Sequence, residues 1–255
     1  MTTAWPWPRV IAHRGGGTLG PENTLAGFEV GFAAGHRAVE FDVMLTSDGV
    51  PVVVHDPALG RTVQGKGKVA EMTAAQLVAL DAGSWLGPQF AAARVPRFTE
   101  VLAWCRDHGV WMNIEIKPSS VGAAYETGRV VGETLQAFYA GVEPGPALPE
   151  LSSFSIHALQ AARMAAPTFA RGLLLTQVPA DWTDRLAEAG AVALHARHSD
   201  LDRATVARIR AAGFPMMVYT VNDPERARTL LDWGIDAICT DRIDMIGPGF
   251  AGSAT

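Results

Sequence analysis

Short apolar or β-branched runs alternate with longer amphipathic stretches along nearly all of the 255 residues, and this rhythm constrains the fold more than any single motif. Arg9–Ala12, Ala38–Val43, Val50–Val54, Trp111–Ile116, Leu151–Phe154, Gly172–Leu175, Ala191–His195, Met216–Val221 and Ala237–Thr240 read as strands. Between them, Thr24–Ala34, Phe98–Asp107, Ala123–Phe138, Ile156–Ala165, Trp182–Ala189, Arg203–Ala212 and Pro224–Asp232 carry helical periodicity. Strands that alternate with helices predict a parallel sheet with crossover helices. Repetition along the whole chain, without a GxGxxG turn or a P-loop, predicts a closed (β/α)8 TIM barrel rather than a doubly wound sheet.

A ring of eight needs one strand fewer than these nine candidates. Thr46, Ser47, Asp48 and Gly49 join the second candidate to the third by turn chemistry too short for a parallel crossover, so one of the two is expected outside the ring. From Leu59 to Pro96 the chain is rich in Gly, Ala and turn residues, with one short helical pattern at Ala74–Leu80. This stretch reads as a small insertion after the third strand candidate, decorating a single domain that spans residues 1–255. Asp223, Pro224 and Glu225 form a helix start, with aspartate as cap and proline in the first turn.

Net charge is −5, and no Lys/Arg-dense stretch could form a nucleic-acid footprint; a small anion needs only a local cluster of positive charge. Cys105 and Cys239 show no CxxC or metal-ligand spacing and are expected to be reduced and buried. The opening MTTAWPWPRV lacks the pattern of a secretory leader, and no apolar run reaches the roughly 20 residues that cross a bilayer. A cytoplasmic protein without stable membrane association is the expectation; composition leaves the oligomeric state open.

Charged side chains gather at the downstream ends of the first four strand candidates. His13 and Arg14 follow one, Glu40 and Asp42 lie on the next, His55 and Asp56 end the third, and Glu115 and Lys117 lie on the fourth. Barrel enzymes build their active sites at this face, from several strand ends. Glu40 and Asp42, two residues apart on a strand, share one face, and Glu115 and Lys117 repeat that geometry. Three convergent carboxylates make an all-oxygen site for a hard cation such as Mg²⁺ or Ca²⁺. Pairing of Glu40 or Asp42 with Arg14 or Lys117 in a structural ion network is the open alternative. His13 and His55 titrate near neutrality and suit proton transfer in P–O cleavage, while Arg14 and Lys117 suit phosphate oxygens. Gly15, Gly16 and Gly17 would let backbone N–H groups approach an anion. Asn23 or Thr24 is expected to cap the first helix, with Glu22 left to orient the site. His195, at a strand end, is a weaker site-facing candidate.

The runs IAHRGG, PENTLAGF, AVEFDVMLTSDGVPVVVHD, NIEIKP, SSF, VYTVN and AICTDR closely resemble the glycerophosphodiester phosphodiesterases, from Trp5 to Phe250. They look most like the bacterial cytosolic member that works alongside glycerol 3-phosphate uptake. The resemblance implies a TIM barrel with a small inserted segment. It also implies a metal-dependent hydrolysis of glycerophosphodiesters to glycerol 3-phosphate and an alcohol, through a cyclic phosphate made by the substrate's own 2-hydroxyl. On the same grounds His13 and His55 are the acid/base pair, with His13 as base and His55 as acid. Glu40, Asp42 and Glu115 are the ligands of one divalent cation, Mg²⁺ or Ca²⁺, and Arg14 and Lys117 bind phosphate. Phe154 and Tyr219 are the aromatic wall; many members carry tryptophan where this chain has Tyr219, so the contact with the leaving alcohol is expected to differ. A phospholipase-type relative acting on lipid is the competing reading, for which Trp85 and Leu86 could form a small apolar lip.

Overall fold

The computed structural model describes residues 5–252; the first four residues of the segment read above for a leader lie outside that range. Nine strands form one sheet: β1 (Val10–His13), β2 (Ala38–Leu45), β3 (Pro51–Val53), β4 (Trp111–Ile116), β5 (Glu150–Ser153), β6 (Ala170–Leu175), β7 (Ala193–Arg197), β8 (Met216–Tyr219) and β9 (Ala237–Thr240). Eight are parallel and close into a ring, in which β1 pairs with both β2 and β9. The ninth, β3, is antiparallel to β2 and stands outside the ring, as the short turn between the two candidates requires. The fold is a (β/α)8 TIM barrel with one extra strand.

The helices are α1 (Leu25–Ala33), α2 (Ala74–Leu77), α3 (Phe98–Asp107), α4 (Ala124–Phe138), α5 (Ile156–Ala165), α6 (Trp182–Ala189), α7 (Arg203–Ala211) and α8 (Pro224–Trp233). At the start of α8, Asp223 accepts a hydrogen bond from the Glu225 N–H and Pro224 occupies the first turn. Thr24 caps α1 by accepting from the Gly27 N–H.

Strand alternation divides labour within each strand. On β2, Val39, Phe41 and Val43 point outward into a core shared with Phe28, Phe98, Leu102 and Leu135 of the helices. Ala38, Glu40 and Asp42 point inward. Parallel barrel strands are covered on both faces, so a charged residue deep on the inner side is buried, as Glu40 and Asp42 are. The lower interior is aromatic: Trp5 and Trp7 meet at 4.9 Å edge to face, and Trp7 stacks on Trp111 at 5.2 Å. Ile11, Ala38, Ala193, Met217 and Cys239 complete that layer.

The segment between β3 and α3 folds back on the β2–β3 hairpin. Val63, Val69, Ala74, Leu77, Ala82 and Val95 bury against Met44, Val52 and Val54. Leu77 and Val69 are fully enclosed, each worth about 1.5–3 kcal/mol of apolar burial. Helix α2 is shorter than the Ala74–Leu80 pattern, since Val78 already caps it. Both cysteines are free and buried. Among the described residues, no helix is long and apolar enough to cross a membrane.

Candidate active site

The downstream ends of β1, β2, β3 and β4 bring the expected groups together. Ligand oxygens of Glu40, Asp42 and Glu115 all lie within 4.8 Å of one another, and all three carboxyl groups face the barrel mouth from within. The two strands place them by register, for Asp42 stands beside Glu115 in the β2–β4 pairing. Burial pushes the Glu115 carboxyl well above the ordinary range, and the neighbouring charge of Asp42 adds to it. Glu40 is raised for the same two reasons. Asp42 moves the other way: burial would raise it, but the Lys117 ammonium and the Arg14 guanidinium hold it down. An all-oxygen set under mutual repulsion is relieved by a dication, so these residues fit a hard divalent ion.

Both readings of Asp42 meet here. Lys117 Nζ donates to it at 3.2 Å and Arg14 Nε lies at 3.6 Å, which is the ion network weighed against metal binding. The pairing does not extend to Glu40 in the same way: its Oε2 accepts from the Arg14 backbone N–H at 3.2 Å. Of the two candidate caps, Thr24 takes the role and Asn23 faces the site: its backbone turns to φ 58° and its amide donates to Asp42 Oδ2 at 2.8 Å while accepting from the Asp42 N–H.

The two histidines are built alike. His13 Nδ1 donates to Asp241 Oδ1 at 2.5 Å, and His55 Nδ1 donates to Asp56 Oδ1 at 2.7 Å. Both aspartates are held below the usual carboxylate range against the effect of burial, Asp241 chiefly by His13 and Asp56 chiefly by Arg61, with His55 next. An ionised carboxylate only accepts, so each ring carries its proton on Nδ1 and has Nε2 free for chemistry. His13 Nε2 lies 3.7 Å from Glu40. Burial alone would lower His13, but the Asp241 hydrogen bond and the charge of Glu40 outweigh it and the ring is raised above its ordinary value. His55 is lowered by burial and by Arg14 and Lys117, with Asp42 opposing.

The strand-end pattern does not single out Asp241, although CTDR places it directly after β9 by the same signal that marks His13 after β1. Asn222 holds it, donating to Oδ2 at 2.9 Å and accepting from its backbone N–H at 2.8 Å. The last of the three glycines serves this contact. A Cβ on Gly17 would sit 2.1 Å from the Asp241 carbonyl oxygen, which also accepts from the Thr18 N–H at 2.9 Å.

Glu22 accepts from Arg14 at 3.0 Å. Below the carboxylates a cavity of about 30 Å³ is lined by His13, Glu40, Glu115, Asn113, Ser152 and Tyr219 among others. Phe154, 50% exposed, meets Tyr219 edge to face at 5.9 Å, and Tyr219 Oη donates to the Leu175 carbonyl. His195 is a correction: it lies in mid-strand on β7, fully buried, with Nε2 3.2 Å from Glu150, beside Leu174 and Met217 of the cavity wall but not among its lining residues. Trp85 is 43% exposed in the segment after β3.

The chain matches the glycerophosphoryl diester phosphodiesterase family over residues 13–245. A glycerophosphodiester phosphodiesterase of Caldanaerobacter subterraneus is 31% identical over 91% of this chain and 93% of its own. A phosphodiesterase of Oleispira antarctica, solved in complex with the product sn-glycerol-3-phosphate, superposes with a TM-score of 0.86 at 36% identity, covering 92% of this chain and 93% of that one. A glycerophosphodiester phosphodiesterase from Agrobacterium tumefaciens gives 0.75 at 26% identity, over 96% and 99%. Matched to that family over residues 13–245 and folded as the same barrel, this protein belongs to the glycerophosphoryl diester phosphodiesterases.

Proposed function

We propose that this chain hydrolyses small glycerophosphodiesters to glycerol 3-phosphate and an alcohol, with a divalent cation held by Glu40, Asp42 and Glu115. The observation that carries the reading is the pair of imidazoles, each oriented through Nδ1 by its own aspartate, beside the buried carboxylate trio. The Oleispira relative supports the substrate class, since its bound product is sn-glycerol-3-phosphate.

In this proposal Arg14 and Lys117 draw the phosphodiester to the mouth, and Phe154 and Tyr219 wall the leaving alcohol. His13 takes the proton of the glycerol 2-hydroxyl as its oxygen attacks phosphorus, and His55 gives a proton to the departing alkoxide, leaving a cyclic phosphate. Water then opens the ring with the proton transfers reversed, so one diester and one water yield glycerol 3-phosphate and alcohol. When bound, the cation supplies Lewis-acid stabilisation of charge on the hydroxyl and phosphate oxygens. Burial lowers His55, while the Asp241 hydrogen bond and the charge of Glu40 raise His13. Glu40 is part of what raises His13, and its pull falls once its charge is neutralised by a cation. Leaving-group dependence assigns the roles: a nitrophenyl ester needs no acid, so it should spare the variant that lacks the acid.

The 59–96 segment is proposed as an inserted rim of this single catalytic domain, acting in the cytoplasm. The test is turnover of glycerophosphocholine, glycerophosphoethanolamine and lysophosphatidylcholine by metal-stripped protein, with Mg²⁺ and Ca²⁺ added back separately. Release of glycerol 3-phosphate on add-back is expected. No turnover of any diester would overturn the reading, and preference for the lysolipid would replace it with the lipid-directed one that exposed Trp85 permits.

A further inference from the structure

Arg61 lies in the segment after β3, half exposed, and no strand-end pattern points to it. Every nitrogen of its guanidinium is engaged. Nε donates to Asp56 Oδ2 at 2.5 Å, Nη1 to Glu22 Oε2 at 2.8 Å and Nη2 to Glu22 Oε1 at 2.6 Å. Each carboxylate uses its remaining capacity on the site: Asp56 accepts from His55, and Glu22 accepts from Arg14. The result is an unbroken chain of alternating donors and acceptors, His55 to Asp56 to Arg61 to Glu22 to Arg14.

Arg61 is half exposed while Glu22 and Asp56 are largely covered, and the geometry of the contacts does more than add stability. A planar fork that meets one carboxylate with two N–H groups and a second with another fixes both in direction, which an ammonium could not do. Charge points the same way. Glu22 and Asp56 would otherwise present two negative groups at a mouth that must admit an anionic diester, and Arg61 offsets them.

We propose that Arg61 is a positioning residue for the reaction: it sets the His55–Asp56 pair and the Arg14–Glu22 pair in register, so that a proton-transfer group and a phosphate-binding group act at one fixed separation. The proposal rests on the roles given above to His55 and Arg14. It makes the 59–96 segment part of the active-site scaffold, not only a rim.

The test uses the full chain with cation present and compares wild type, Arg61→Ala and His55→Ala on two glycerophosphodiesters, one with an alkyl and one with a nitrophenyl leaving group. Arg61→Ala should lose about 10–100-fold in kcat with its thermal midpoint close to wild type. Its defect should change with leaving group in the same direction as that of His55→Ala. Millimolar guanidinium should restore part of its kcat, where the same concentration of sodium chloride does not. An unchanged kcat overturns the proposal, as does a loss that follows unfolding and ignores guanidinium. Should wild type turn over neither ester, the functional reading has failed, and positioning is read from the ring nitrogen NMR shifts of His55 and His13. Arg61→Ala should then move those of His55 and leave those of His13, and unmoved His55 resonances overturn the proposal.

Discussion

The first half of the barrel, β1 to β4, and the second half, β5 to β9, both bury ionisable side chains on their inner face. In the first half Glu40, Asp42 and Glu115 converge at the mouth, flanked by Arg14 and Lys117, and their surplus of negative charge is left for a ligand to balance. In the second half Glu150 and His195 face each other at 3.2 Å with no exposure on either side, off the axis of a good hydrogen bond. Gly172 leaves them room, since a Cβ there would meet the His195 ring at 2.4 Å. An inward-facing charge is therefore not in itself a mark of chemistry. Depth along the strand separates a group that can reach substrate from one that can only be satisfied by its neighbour.

The largest expected effect lies in the first half. His13→Ala and His55→Ala should each lower kcat by about 10²–10⁴-fold while thermal melts stay near wild type; steady-state turnover of either variant at the wild-type rate would break the contrast. The second half should answer in the opposite way. Glu150→Ala removes the group that faces His195 in a sealed interior and should cost about 1–3 kcal/mol in denaturant titration, with the folded fraction turning over normally. A fall in turnover per folded molecule would mean that the buried pair reaches the chemistry after all.

Asp241 belongs to the second half by position and to the first by function, so Asp241→Asn sharpens the comparison. It removes the ionised acceptor for His13 Nδ1 and should lower kcat by roughly 10²-fold, with little change in melting. The smallest effect concerns the segment that follows β3. Asp81 is held down to about 2 by the Ser84 hydroxyl and by the backbone N–H groups of Ser84 and Gly83. A depressed carboxylate contributes stability that is present above its unfolded value of about 3.9 and lost as pH falls through its folded one. Hydrogen-exchange protection around residues 81–94 should therefore decline between about pH 4 and 2 before that of the barrel strands does. In Asp81→Asn that pH dependence should vanish; its persistence would assign the loosening elsewhere.

Much of the site is legible because its members sit next to strands. Glu40 and Asp42 share a face by simple alternation, and His13, His55 and Lys117 follow from where β1, β3 and β4 stop. Residue type suits both Asn23 and Thr24 for the cap; the fold gives it to Thr24 and leaves the Asn23 amide for Asp42. His195 misleads because the strand it ends in the pattern runs on to Arg197 in the ring. Asp56 adjoins His55 in sequence, yet nothing local says that its second oxygen would be taken by Arg61.

The alternation of strands and helices, the spare strand, and the inward set on each strand can be read from the chain alone. These depend on backbone geometry within a few residues, and periodicity reports that geometry directly. Only the tertiary structure decided that β1 closes on β9, which carries Asp241 to His13 across 228 positions of chain, and that Arg61 reaches back to Glu22 across 39. Ring closure and strand register are set by all eight strands together, so no local pattern could have stated how deep His195 lies or which carboxylate would hold which imidazole.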